Sequence, residues 1–165
     1  MDSLTKAIIL ATTVHDGQYR KGSKLPYITH PISVMIRTRY LLGQFKGKYA
    51  LTELEFLICA VLHDVYEDVD MKTFDIEACC KYINCEKKQT IEEVVVALFG
   101  ESVHRTLLEL TNDKVKIGEI GKTEYLKRKL ASMSTEAYII KSVDRLDNIL
   151  DSRHMEDEAR KALIN

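Results

Sequence analysis

An imidazole and a carboxylate stand side by side at His63-Asp64, directly after the apolar run Phe56-Leu57-Ile58-Cys59-Ala60-Val61-Leu62. Charge delivered to the end of a buried helix is costly unless it is paired, and a divalent cation removes that cost. Asp144 has the same character, four residues after Ile140 and one after Val143. With His30 these residues make a candidate ligand set of two histidines and two aspartates: His30, His63, Asp64 and Asp144. Mixed imidazole and carboxylate donors suit manganese, iron, zinc or magnesium-like ions, with manganese favoured where carboxylates and waters complete an octahedron. Such a centre lowers the pKa of bound water and neutralises a phosphate oxygen, the two requirements of phosphate-ester or pyrophosphate hydrolysis. Taken singly each residue has a plainer reading. A histidine on an apolar helix is more often a hydrogen-bonded core residue, and Asp144 could simply pair with Arg145 or Lys141. Only their combination points to a metal centre.

Three residues beyond Asp64, the pair Glu67-Asp68 falls on the same side as His63-Asp64 if the helix continues through Tyr66. A carboxylate there could orient or deprotonate the attacking water. The plainer alternative is an acidic helix end, although acids at a C-terminus oppose the helix dipole. Opposite in sign, Arg20 and Lys21 lie in a loop with Lys24 nearby and Tyr19 and Tyr27 interleaved. A guanidinium fork can hold a phosphate or stack on a base, and His30 is a short loop away. Tyr125, Lys127 and Arg128 could close over the site, or form a charged surface face.

Helices must position these groups. Seven glycines and two prolines punctuate 165 residues, and no run alternates apolar and polar residues as a strand would. The expected fold is all-α, a compact helical bundle, with residues 1–165 as one domain. Leu4, Ala7, Ile8, Ala11 and Val14 recur at helical spacing and predict a first helix ending near Gly17. Gln18 to Thr29 reads as a loop. Pro31 suits the first helical position, which puts His30 at or beside the N-cap of a helix running to about Leu42. Thr52-Glu53-Leu54-Glu55 is a capping box that opens the central buried helix. A short helix over Met71 to Cys80 and a polar loop over Asn84 to Gln89 follow. A second capping box at Thr90 to Glu93 starts a helix that stops at Gly100, and another covers Ser102 to Leu110. Lys114 to Gly121 reads as a loop. Helices over Thr123 to Met133 and Thr135 to about Leu150 come last, before a polar, frayed tail after Arg153.

A formal net charge of -1 gives no basic surface for duplex DNA. No stretch approaches the roughly 20 apolar residues that cross a bilayer, and the N-terminus lacks the order of a signal peptide, so a cytoplasmic protein is expected. The four cysteines, Cys59, Cys79, Cys80 and Cys85, form no paired motif and are expected as free thiols.

Four ordered motifs carry a family resemblance: His15-Asp-Gly-Gln-Tyr-Arg-Lys-Gly, Pro26-Tyr-Ile-Thr-His-Pro, Leu62-His-Asp-Val-Tyr-Glu-Asp and Ile140-Lys-Ser-Val-Asp-Arg-Leu-Asp-Asn. Together they resemble the hydrolase domain of RelA/SpoT-type alarmone enzymes, part of the HD superfamily of metal-dependent phosphohydrolases. The likeness runs from about Ala7 to Asp151. It implies that His30, His63, Asp64 and Asp144 hold a metal, usually Mn²⁺, and that Glu67 and Asp68 are the catalytic acids. It implies further that Arg20, Lys21 and Asn148 contact nucleotide, with Lys141 supporting the site electrostatically. The implied reaction removes the 3′-pyrophosphate from ppGpp or pppGpp, a small-molecule nucleotide substrate. Departures are Asp147 where histidine is common, Val69 where threonine is usual, and a longer stretch from Asp70 to Glu93; they bear on substrate rather than metal. The length leaves no room for a synthetase region, so a stand-alone hydrolase is expected. Two alternatives stay open: a phosphohydrolase of another nucleotide, and a non-catalytic nucleotide-sensing module.

Overall fold

The computed structural model describes residues 1–45 and 47–152, and the tail expected after residue 153 lies outside them. Ten helices occupy the described residues: α1 Ser3–Val14, α2 Thr29–Gln44, α3 Glu53–Leu62, α4 Val65–Asp68, α5 Ile76–Tyr82, α6 Ile91–Phe99, α7 Glu101–Leu110, α8 Lys114–Ile120, α9 Lys122–Ser132 and α10 Thr135–Asp151. No strand occurs among them, and Tyr19 and Pro26 form one isolated bridge that closes the loop before α2. The all-α expectation holds.

The apolarity of α3 fixes the arrangement. Every residue from Phe56 to Leu62 is buried, so the helix needs partners on all sides, and α1, α2, α7 and α10 pack around it. Leu10 and Ala11 of α1, Val34 of α2, Leu107 of α7 and Ile140 of α10 join it in one core. Thr52 and Glu55 form the expected capping box at its start. The second expected box is half formed in that sense: Thr90 Oγ1 accepts from Glu93 N, while the Glu93 carboxylate reaches back one residue further, to Gln89 N at 2.8 Å.

Four local expectations need correction. Lys114 to Ile120 is helical, because the Asp113 carboxylate accepts from both Val115 N and Lys116 N. No α8 residue is buried, so the segment carries no apolar periodicity to betray it. The helix expected from Met71 begins at Ile76, where Asp75 caps Ala78 N; Asp70 instead closes a turn through Thr73 N and Phe74 N. Thr29 rather than Pro31 opens α2, so His30 sits inside its first turn, where the missing proline N–H is still no loss. Finally, α3 does not run unbroken through Tyr66. It ends at Leu62, His63 and Asp64 form a turn, and α4 resumes at Val65.

Core and surface should therefore respond differently to truncation. Leu10 is fully buried and Leu25 is 55% exposed. Urea denaturation should show Leu10→Ala losing about 2–5 kcal/mol and Leu25→Ala changing stability by no more than about 0.5 kcal/mol.

Candidate functional site

The first turn of α2, the turn after α3 and the middle of α10 meet at one buried spot. There His30 Nε2 lies 3.1 Å from Asp144 Oδ1 and 3.8 Å from Asp64 Oδ2. His63 Nε2 lies 2.9 Å from Asp64 Oδ2 and 3.8 Å from Asp144 Oδ1. The two imidazoles meet edge to face with centroids 5.1 Å apart. His30, His63 and Asp64 offer donor atoms that all lie within 4.8 Å of one another, and Asp144 flanks both histidines. The four residues expected as ligands are thus gathered, although they come from positions as far apart as 30 and 144.

Their donor set fits a cation. His63 Nδ1 is fixed on the carbonyl of Ala60 at 2.8 Å and His30 Nδ1 on Asp147 Oδ2 at 2.7 Å. With each Nδ1 engaged in this way, each Nε2 is the atom turned toward Asp64 and Asp144 and the one a cation would take. His63 Nε2 is buried and has no hydrogen-bond partner among the described residues, because its approach to Asp64 lies off the hydrogen-bonding direction. In the metal-free protein burial opposes a charged His63, yet Asp64 and Asp144 override it and push the imidazole up to about 9. Burial also opposes charge on Asp64 and Asp144; His63 for the former, and His30, His63 and Lys141 for the latter, hold both carboxyls well below their usual range.

An outer ring holds these groups. The phenol of Tyr27 donates to Asp64 Oδ2 at 2.6 Å, and burial together with the Asp64 charge pushes its pKa far up, so it remains a donor. Asp144 receives Lys141 Nζ at 2.9 Å and Asn148 Nδ2 at 2.6 Å. Asp147, a departure from the family pattern in the sequence, stands behind His30. It accepts from His30, from Ser33 Oγ at 2.5 Å and from Arg37 Nε at 3.1 Å. Burial opposes its charge, but these donors hold it down to about 2. Its signal was available in the register: Asp147 is one turn beyond Asp144 on α10, and Ser33 and Arg37 are one turn apart on α2.

Glu67 and Asp68 occupy α4 beside this cluster. Glu67 Oε1 accepts from Asn112 N at 2.8 Å and Asn112 Nδ2 at 2.9 Å. Burial and the neighbouring charges of Asp64 and Glu67 push Asp68 up to about 6. Its Oδ2 faces the buried His15 ring, 3.8 Å from Nδ1. Neither Asn112 nor His15 was singled out as a site residue by the sequence. Arg20 is drawn inward: Nε and Nη2 contact Asp151 Oδ2 at 2.9 and 2.8 Å, Nη1 reaches Asn148 Oδ1 at 3.4 Å, and the guanidinium lies 5.9 Å over Tyr27. Lys21 is exposed. Tyr125 is buried and its hydroxyl accepts from Asp113 N, whereas Lys127 and Arg128 lie on the surface.

No family model matches the chain. It is similar to the guanosine-3′,5′-bis(diphosphate) 3′-pyrophosphohydrolase of Borreliella burgdorferi, 28% identical over 89% of this chain and 18% of the relative. It is 27% identical to the Escherichia coli bifunctional (p)ppGpp synthase/hydrolase SpoT over 97% of this chain and 19% of that protein. The chain thus spans less than a fifth of the length of these curated relatives. Among solved structures it resembles a metazoan ortholog of SpoT described as hydrolysing ppGpp and acting in starvation responses. That likeness has a TM-score of 0.69 and 26% identity over 98% of this chain and 79% of the other. The resemblance to the hydrolase region of RelA/SpoT-type proteins therefore extends over nearly the whole sequence, in fold and in homology.

Two measurements follow from this geometry. His63 must lose its proton to ligate, so apparent Mn²⁺ affinity should rise with pH up to about 9. Calorimetry in buffers of different ionisation enthalpy should show proton release on binding. Asp147→Ala frees the His30 ring, and the same titration should show affinity reduced about 10–100-fold.

Proposed function

We propose that the chain is an Mn²⁺-dependent 3′-pyrophosphohydrolase of guanosine 3′,5′-bis(diphosphate), a single hydrolase domain working on a nucleotide in the cytoplasm. The observation that carries the reading is the convergence of two buried imidazoles and the carboxylates of Asp64 and Asp144 beside a second acidic pair, Glu67-Asp68. In the balanced reaction water is consumed, the bond between the 3′-oxygen and phosphorus breaks, and pyrophosphate leaves with GDP as the other product.

His30, His63, Asp64 and Asp144 would hold the ion. When bound, Mn²⁺ supplies Lewis acidity, lowering the pKa of a water and neutralising phosphate charge. The remaining work belongs to the chain's own side chains. Asp68 has its proton affinity set near 6, close enough to neutrality for it to take a proton from water and return it to the leaving oxygen. Glu67, with one oxygen bound by Asn112, keeps the other for orienting the water. Tyr27 and Lys141 hold Asp64 and Asp144 in place. Lys21 offers an exposed ammonium to the phosphates. Arg20 lines the same approach but is already committed to Asp151, so its contribution is to fix the loop as well as to meet anionic substrate. Asn148 links Arg20 to Asp144 and sits where a ribose or phosphate oxygen could replace one of its contacts.

Purified protein with Mn²⁺ should release pyrophosphate from ppGpp. Asp64→Ala should abolish turnover, and Asp68→Asn should lower kcat by about 10²–10⁴. A panel containing ppGpp, pppGpp, GTP, GDP and other 3′-phosphorylated nucleotides tests the substrate. Folded, Mn²⁺-loaded protein that leaves ppGpp intact ends the proposal, and nucleotide-dependent thermal stabilisation without product would show a sensing module instead.

A further inference from the structure

The segment between α7 and α8 is held with more hydrogen bonds than a connecting turn needs. Lys129 of α9, half-buried, directs its ammonium to the carbonyls of Leu110 and Thr111, to Asn112 Oδ1 at 3.4 Å and to the Tyr125 hydroxyl at 3.4 Å. Tyr125 in turn accepts from Asp113 N at 2.7 Å. The carbonyls of Leu110 and Thr111 are among the last of α7 and have no further helical turn to satisfy them, so a cation placed there answers a backbone need. That alone would be a helix cap. What goes beyond it is Asn112, whose amide oxygen faces Lys129 while its amide nitrogen and its backbone N–H both point to Glu67 Oε1. An amide oxygen fixed by an ammonium determines which way the amide is turned. Two donors on one carboxylate oxygen then determine which oxygen is left free.

We infer that Asn112 is a positioning residue for Glu67, and that Lys129 and Tyr125 hold Asn112 in the orientation that task requires. The clamp occupies Oε1 and leaves Oε2 as the working oxygen, turned by the same constraint in every turnover. It connects the site to α9, an element from which no metal ligand comes. The inference rests on the reading of Glu67 as a catalytic acid, and it adds the residues that aim it.

Asn112→Asp keeps the shape of the side chain but replaces the amide donor with a carboxylate oxygen facing Glu67. With ppGpp and Mn²⁺ it should lower kcat about 10–100-fold, the cost of misaiming a catalytic group, while KM and Mn²⁺ affinity stay near wild type. Lys129→Met should act in the same direction and Lys129→Arg, which can still donate to the carbonyls, should recover most of the loss. Circular dichroism and thermal melts verify that each variant is folded. Independently of turnover, amide exchange by NMR should find Asn112 N–H protected in the wild type and exposed in Glu67→Ala. Unchanged kcat in Asn112→Asp beside an inactive Glu67→Gln overturns the inference and leaves the catalytic reading standing. Full activity in Glu67→Gln overturns that reading instead. An Asn112 amide that exchanges like a free loop amide in the wild type shows that the clamp does not exist.

Discussion

The structure turns on a concentration of negative charge that its own core would otherwise reject. Asp64 and Asp144 are brought to the end of α3, a helix whose last seven residues are all buried, and two imidazoles turn their Nε2 atoms toward them. Carboxylates in so dry a place are tolerable only with compensating charge. In the metal-free protein a proton on His63 supplies part of it, which is why that imidazole is pushed up against the opposing effect of burial. A divalent cation would supply it better, because one ion could answer carboxylates and nitrogens together. Proton and cation compete for the same place, so the stability of the pocket and its affinity for metal are two aspects of one electrostatic demand.

From that demand the surrounding ring follows. Each group facing inward also has a partner in the ring: His63 Nδ1 the Ala60 carbonyl, His30 Nδ1 Asp147 of α10, Asp64 Oδ2 the phenol of Tyr27 in the loop before α2, and Asp144 Lys141 on one oxygen and Asn148 on the other. Such partners set tautomer and ring orientation, and so decide what the inner atoms can do. The closeness of α2 to α10 is thus a chemical requirement as much as a packing one. Arg20 extends the ring to Asp151, joining the loop expected to meet phosphate to the end of the helix that carries Asp144.

Much of this was legible in the sequence because the strongest constraints leave local marks. The apolar run of α3 and the Thr52 capping box located the central helix, and the abrupt change from Leu62 to His63-Asp64 pointed to the site. His30 and Asp144 were found through their motifs. The parts that were hidden depend on pairings distant in the chain. Asp147 meets His30 across 117 positions and Glu67 meets Asn112 across 45, and nothing in the residues around either one announces its partner. The α8 helix was missed for the opposite reason: it buries nothing, so its only sequence signal was Asp113 at the cap, set among lysines and glycines that otherwise suggest a loop. The break between α3 and α4 is likewise invisible in the sequence, since His63 and Asp64 both keep torsions of the right-handed helical region.

Within α4 the neighbouring acids Glu67 and Asp68 point about 100° apart around the helix axis and so enter different surroundings. Glu67 turns to the α7–α8 connection, where it accepts two N–H donors on one oxygen. Asp68 turns toward His15 and stays within the field of Asp64 and Glu67, with burial adding to the cost of its charge and its proton held up to about 6. Donors stabilise a carboxylate as an anion, whereas negative neighbours favour its protonated form. Two carboxyl groups adjacent in sequence are thereby given unlike partners: Glu67 is held by two N–H donors on one oxygen, while burial and negative neighbours favour the protonated form of Asp68.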